Sequence, residues 1–151
     1  MILPLTMAAM LLVAPRIQVD DPEVHPPVTQ DDVRILVRAQ QILNSPAKWN
    51  RNDNRNCPAE EKQFSLYCAV EKATDEVTGQ FAHREAAMQE ARFVVDEIAA
   101  NRPNYHHRLM DYNNDPTTTF ADIQRVLKTA EANVEKKLAE RKTGAAKKTP
   151  K

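Results

Sequence analysis

Glycine is almost absent from this chain: Gly79 and Gly144 are the only two in 151 residues. Tight β-hairpins and phosphate-cradling loops draw on glycine for backbone angles that other residues avoid. A chain with two glycines has little material for either, and the fold it can build is helical. Its length suits one domain big enough to bury a core without help from metal or disulfides. With 28% charged residues of both signs, collagen, disulfide-scaffold and polytopic membrane classes are excluded.

Helix starts and stops divide the middle of the chain. Thr29-Gln-Asp-Asp32 is a capping sequence, with an acid placed to reach back to the free amides of a first turn. Val33, Leu36, Val37, Ile42 and Leu43 follow at helical spacing until Pro46. Ser45 to Ala59 is a long polar loop with four asparagines and the chain's only tryptophan, Trp49. A second helix is predicted over about 59–78, with Glu60 and Glu61 in its first turn and Gly79 at its C-terminal cap. Its apolar arc is wide enough to make it the most buried helix. A third is predicted from residue 80 or 81 to about 101, and one or two helical turns over 104–112. Thr119-Phe-Ala-Asp122 repeats the cap, and Ile123, Val126, Leu127, Ala130, Val134 and Leu138 predict a helix over about 120–141. The expected fold is therefore all-α, an antiparallel bundle of four main helices with a long polar loop. Residues 29–141 form the domain, between an N-terminal segment and proline-rich linker over 1–28 and a basic, disordered tail over 142–151.

The two ends carry separate signals. Ile2 to Ala14 is apolar apart from Thr6, too short for a bilayer core and without a basic residue before Arg16. It reads as a docked segment, as a signal or anchor, or as sequence ahead of a true start at Met7 or Met10. No stable membrane insertion is expected, and cytoplasmic residence is preferred, with export or anchoring through residues 1–14 as the alternative. The chain has 21 basic and 21 acidic residues, but residues 136–151 carry a net charge of +6 and the rest −6. Lys136, Lys137, Arg141, Lys142, Lys147 and Lys148 are thus candidate polyanion-binding residues, or fold back on the acidic domain. No aromatic side chain follows Asp122 to stack on bases.

Candidate chemistry is sparse. Cys57 and Cys68 can pair, or join His106 and His107 around zinc, but eleven residues separate them where zinc sites bring cysteines two to four apart. Cys68 on an apolar helix face reads best as a small buried hydrophobe. No local signature activates either cysteine beside His83, His106 or His107. Asp75 with Glu76 and Asp96 with Glu97 point to different helix sides and make no acid/base pair. No catalytic residue, metal or cofactor is assigned. Trp49, Tyr67, Tyr112, Asn113 and Asn114 are the candidate ligand-binding residues if they converge on one concave site. Otherwise Trp49 plugs the core edge, and Asn113, Asn114 and Asp115 before Pro116 make a turn.

Residues 112–130, YNNDPTTTFADIQRVLKTA, resemble the C-terminal motif of a family of small, uncharacterised bacterial and phage helical proteins with a WNDxPxxT pattern. Arg38 to Leu43 leading to Trp49, and Tyr67-Cys68-Ala69, match its earlier RAxxLL-like and WCA-like stretches. Tyr112 stands where the family has Trp, and Asn114 where it has Asp. The resemblance covers about residues 33–131 and implies a fold and domain limits but no activity. Three functional expectations follow. The first is a non-enzymatic module binding a protein partner or itself. The second is a nucleic-acid or polyanion accessory working through the tail, and the third a small-ligand binder or enzyme using Trp49, Tyr112 and Asn113.

Overall fold

The computed structural model describes residues 25–102 and 105–146. The apolar N-terminal stretch, Lys147 and Lys148 lie outside the described residues. Five α-helices follow in order: α1 (Gln30–Ile42), α2 (Leu66–Thr78), α3 (Ala86–Ile98), α4 (Arg108–Asn114) and α5 (Phe120–Ala146). Four are long and α4 is two turns, so the all-α bundle expected from the sequence is the fold. Among the described residues the nearest thing to a strand is an isolated bridge between Trp49 and Phe64.

Both predicted caps form. Thr29 donates its backbone N–H (2.6 Å) and hydroxyl (2.8 Å) to Asp32 Oδ2, and Thr119 does the same to Asp122 (2.9 and 2.6 Å). α1 packs against both α2 and α5, and α3 against α5. α1 and α5 run antiparallel: Arg141 donates to the Val28 carbonyl at one end (2.8 Å), Gln40 reaches Glu131 midway (2.6 Å), and Gln124 donates to the Leu43 carbonyl at the other (2.6 Å). Leu36, Leu43, Leu66, Val70, Met88, Val94, Ile123 and Leu127 fill the space between, fully buried. At roughly 1.5–3 kcal/mol for each large aliphatic side chain taken from water, this core is the main source of stability.

Three helix boundaries differ from the sequence reading. α2 starts at Leu66, not near residue 59, because Phe64 exchanges backbone hydrogen bonds with Lys48 and Asn50 (2.8 and 3.0 Å), and Ser65 then caps the helix by accepting the Cys68 amide (3.1 Å). α3 starts at Ala86 because its cap comes from elsewhere: Asp32 of α1 accepts the Ala87 amide at 2.8 Å. α5 continues past Arg141 to Ala146, through Thr143 and Gly144, which are weak helix formers. Gly79 closes α2 as expected, at φ +80, where a Cβ would be strained. The first turn of α2 is buried all round, although α1 makes the broadest contacts. No helix among the described residues is long and apolar enough to cross a membrane.

Candidate functional site: an arginine and histidine cleft

The asparagine-rich loop is tied down from α4. Asn113, fully buried, accepts the Trp49 indole N–H (2.8 Å) and the Leu66 amide (3.0 Å) on Oδ1, and donates through Nδ2 to the Asn50 carbonyl (3.0 Å) and Asn114 Oδ1 (3.1 Å). Asn114 accepts the Asp53 amide (2.7 Å) and donates to the Asp53 carbonyl (2.8 Å). Arg51 covers the Trp49 ring at 5.0 Å and donates to the Pro116 and Thr118 carbonyls. Tyr112 is buried with its ring edge-on to Tyr105. Trp49, Asn113 and Asn114 thus spend their polar atoms on one another and on backbone, while Tyr67 faces a different region. Trp49, Tyr112, Asn113 and Asn114 hold the fold together, and the five residues do not meet at one open site.

Cys57 and Cys68 form a disulfide. This corrects the reading of Cys68 as a small buried hydrophobe, and it takes both sulfurs away from zinc and from nucleophilic chemistry. Among the described residues no three His, Cys, Asp or Glu side chains converge as metal ligands. The basic run is partly absorbed by the domain: Lys137 pairs with buried Glu90, and Arg141 binds the Val28 carbonyl. Lys136 and Lys142 are exposed on α5.

Tyr67 lines a cleft of about 370 Å³ between the polar loop, the segment ahead of α3, α3 itself and the start of α4. Its charged walls are Arg55, Arg84, Arg92 and Arg108, joined by His83, His106 and His107, and none of its lining residues is acidic. Arg55 takes a left-handed backbone at φ +61, which turns the loop; its guanidinium lies 5.6 Å from the Tyr67 ring centre and its Nη1 is 3.1 Å from His107 Nδ1. Arg92 donates to the His83 carbonyl (3.0 Å), to Gln89 (2.6 Å) and to His83 Nε2 (3.2 Å). Arg108 is paired with Asp96 at 2.5 Å.

A guanidinium only donates, so His83 Nε2 must accept and the ring is neutral with its proton on Nδ1. Nδ1–H then faces the Tyr67 oxygen at 3.2 Å, and the Tyr67 hydroxyl bonds Glu71. The same rule makes His107 Nδ1 an acceptor from Arg55. Burial first, then the charges of Arg92, Arg55 and Arg84, push the His83 pKa below its usual 6.5. Burial and the charge of Arg108 likewise lower Arg92. Glu71 is raised by burial, and Tyr67 by burial and the Glu71 charge. The cations of the cleft therefore repel one another, and an anion among them would relieve that repulsion.

The sequence contains hints of this cleft, His83-Arg84 and His106-His107-Arg108, but by residue type those histidines suggest zinc binding or cysteine activation before anion binding. The arginines come from three stretches of the chain, at residue 55, residues 84–92 and residue 108, so no local motif marks the site. Comparison with functionally described proteins and with solved structures finds no match for the chain. At the level of families, residues 27–133 match a family of unknown function, DUF6197, over most of the chain and nearly all of the helical domain. The chain belongs to that family.

Proposed function

We propose that this domain is a binding module that captures an anionic group, of the size and charge of a phosphate or pyrophosphate, in the arginine and histidine cleft. The observation that carries the reading is the assembly of Arg55, Arg84, Arg92 and Arg108 around one concavity with no acidic wall. Arginine forks suit phosphate and carboxylate oxygens, and a concave, partly dry setting strengthens each contact. This keeps the interaction-module reading of the sequence and gives the partner a chemistry. Self-association through an apolar face has less support, since among the described residues Ile98 is the one large hydrophobic side chain that is exposed. The tail reading is a second route to polyanions, drawing on Lys136, Lys142 and the lysines beyond the described residues. The disulfide supports an oxidising compartment over the cytoplasm, because cytosolic thiols are kept reduced.

Calorimetric titration of the full chain with pyrophosphate tests the proposal. Arg92→Gln and Arg84→Glu should each weaken binding about tenfold or more, the scale of losing a charge-assisted contact. Deleting residues 142–151 should leave it unchanged. Loss on tail deletion, with the cleft variants binding normally, would overturn the assignment.

A further inference from the structure

A second candidate site lies in the polar loop, beside Cys68. Asp53 is buried at 6% exposure in the middle of the asparagine-rich loop. Its backbone N–H and carbonyl are both taken by Asn114, and its Oδ1 accepts the Arg55 amide at 2.7 Å. Its Oδ2 is buried and has no hydrogen-bond partner, the one such side-chain atom among the described residues. An orphaned carboxylate oxygen is expensive to bury, and calls for an occupant with positive charge or protons to offer.

Asp53 lines a small enclosed cavity with room for a single water-sized occupant, about 10 Å³. Phe64 and Cys68 form part of its wall, and Asn52, Asn54, Asn56 and Glu61 share the rest with Asp53. These are hard oxygen donors with two carboxylates among them, the donor set that calcium takes and zinc does not. Asn52 N–H bonds Asn50 Oδ1 (2.8 Å) and Asn56 N–H bonds Asn54 Oδ1 (3.0 Å), short turns that fix the backbone on either side of Asp53.

We infer that the loop from Asn50 to Glu61 is a calcium site, with Asp53 Oδ2 as the buried anionic ligand and Glu61 closing the coordination from the surface. Two carboxylates and neutral amides make a low-charge site, with a Kd on the order of 10⁻⁴ to 10⁻³ M. The inference does not depend on what the arginine cleft binds.

Trp49 is the chain's only tryptophan and adjoins Asn50, which makes it a built-in antenna for terbium. The experiment is terbium luminescence of the full chain excited through tryptophan, with calcium chloride as competitor and thermal unfolding in parallel. Wild type should give sensitised emission that millimolar calcium displaces, and calcium should raise Tm. Glu61→Gln, at an exposed position, should fold normally by circular dichroism and lose about tenfold or more in terbium affinity. Asp53→Asn, which keeps the acceptor for Arg55, should abolish the calcium-dependent rise in Tm. No sensitised emission from wild type, or Glu61→Gln binding as tightly as wild type, would overturn the inference and leave water as the occupant of the cavity.

Discussion

Removing the Asn113 side chain should unfasten the whole polar loop. In Asn113→Ala two buried donors, the Trp49 indole N–H and the Leu66 amide, and the half-buried Asn50 carbonyl lose their partner at once. Each buried polar group left unmade costs about 1–3 kcal/mol. Water entering the space left behind offsets part of that, so the expected loss is about 4 kcal/mol. For a domain of this size that corresponds to a fall in Tm of about 15 °C. Chemical denaturation of wild type, Asn113→Ala, Trp49→Phe and the double variant measures it. Trp49→Phe removes only one donor and leaves Asn113 Oδ1 bonded to Leu66, so it should cost about 1–2 kcal/mol. The two changes should be non-additive, because both delete the same indole contact. If Asn113→Ala unfolds within about 1 kcal/mol of wild type, the loop is held by something other than this network.

Reducing the Cys57–Cys68 disulfide, or replacing both cysteines by serine, should cost about 3 kcal/mol from the entropy of an eleven-residue loop, read as a lower Tm under reductant. The Asp115 pKa is pulled down to about 2 by hydrogen bonds from Thr117 and Tyr105. Its contribution to stability is therefore present above the usual 3.8 and lost as pH falls toward 2; acid unfolding of Asp115→Asn should be flatter than wild type across that interval. His83 is neutral in the free cleft, with its pKa below 6.5, so its contribution is present above 6.5 and lost as pH falls through the lower folded value. A bound dianion raises that pKa and makes binding take up a proton. Sulfate, whose charge is constant over the range, should bind more tightly at about pH 5.5 than at about pH 7.5, and His83→Asn should flatten the difference.

What was legible in the sequence is what is local. Thr29 and Asp32, and Thr119 and Asp122, sit three apart and cap α1 and α5 with their own turns, so a short window contains the signal. The stripe from Ile123 to Val134 is likewise buried as its spacing requires. The errors come from distance along the chain. Glu60 and Glu61 look like acids of a first helical turn, but the pairing of Phe64 with Lys48 and Asn50 holds that segment extended and delays α2 to Leu66. The cap of α3 belongs to Asp32, 55 residues earlier, and no inspection of residues 80–86 could reveal it. Asn113 and Asn114 carry turn chemistry in sequence, yet their side chains bond partners more than 45 residues away. The cleft was hidden for the same reason: Arg55, His83, Arg92 and Arg108 are unremarkable singly and become a site only when the loop, α3 and α4 meet. The tail, by contrast, was conspicuous because its charge is contiguous, and the fold has since claimed Lys137 and Arg141 for its own contacts.

Anion capture in the cleft is best tested by an amide NMR titration of the full chain with pyrophosphate, because it reports which residues meet the anion. Shifts should concentrate at Arg55, His83, Arg84, Arg92 and residues 106–108, with the C-terminal lysines unmoved at moderate salt. Shifts confined to residues 136–151, or none anywhere, would contradict it.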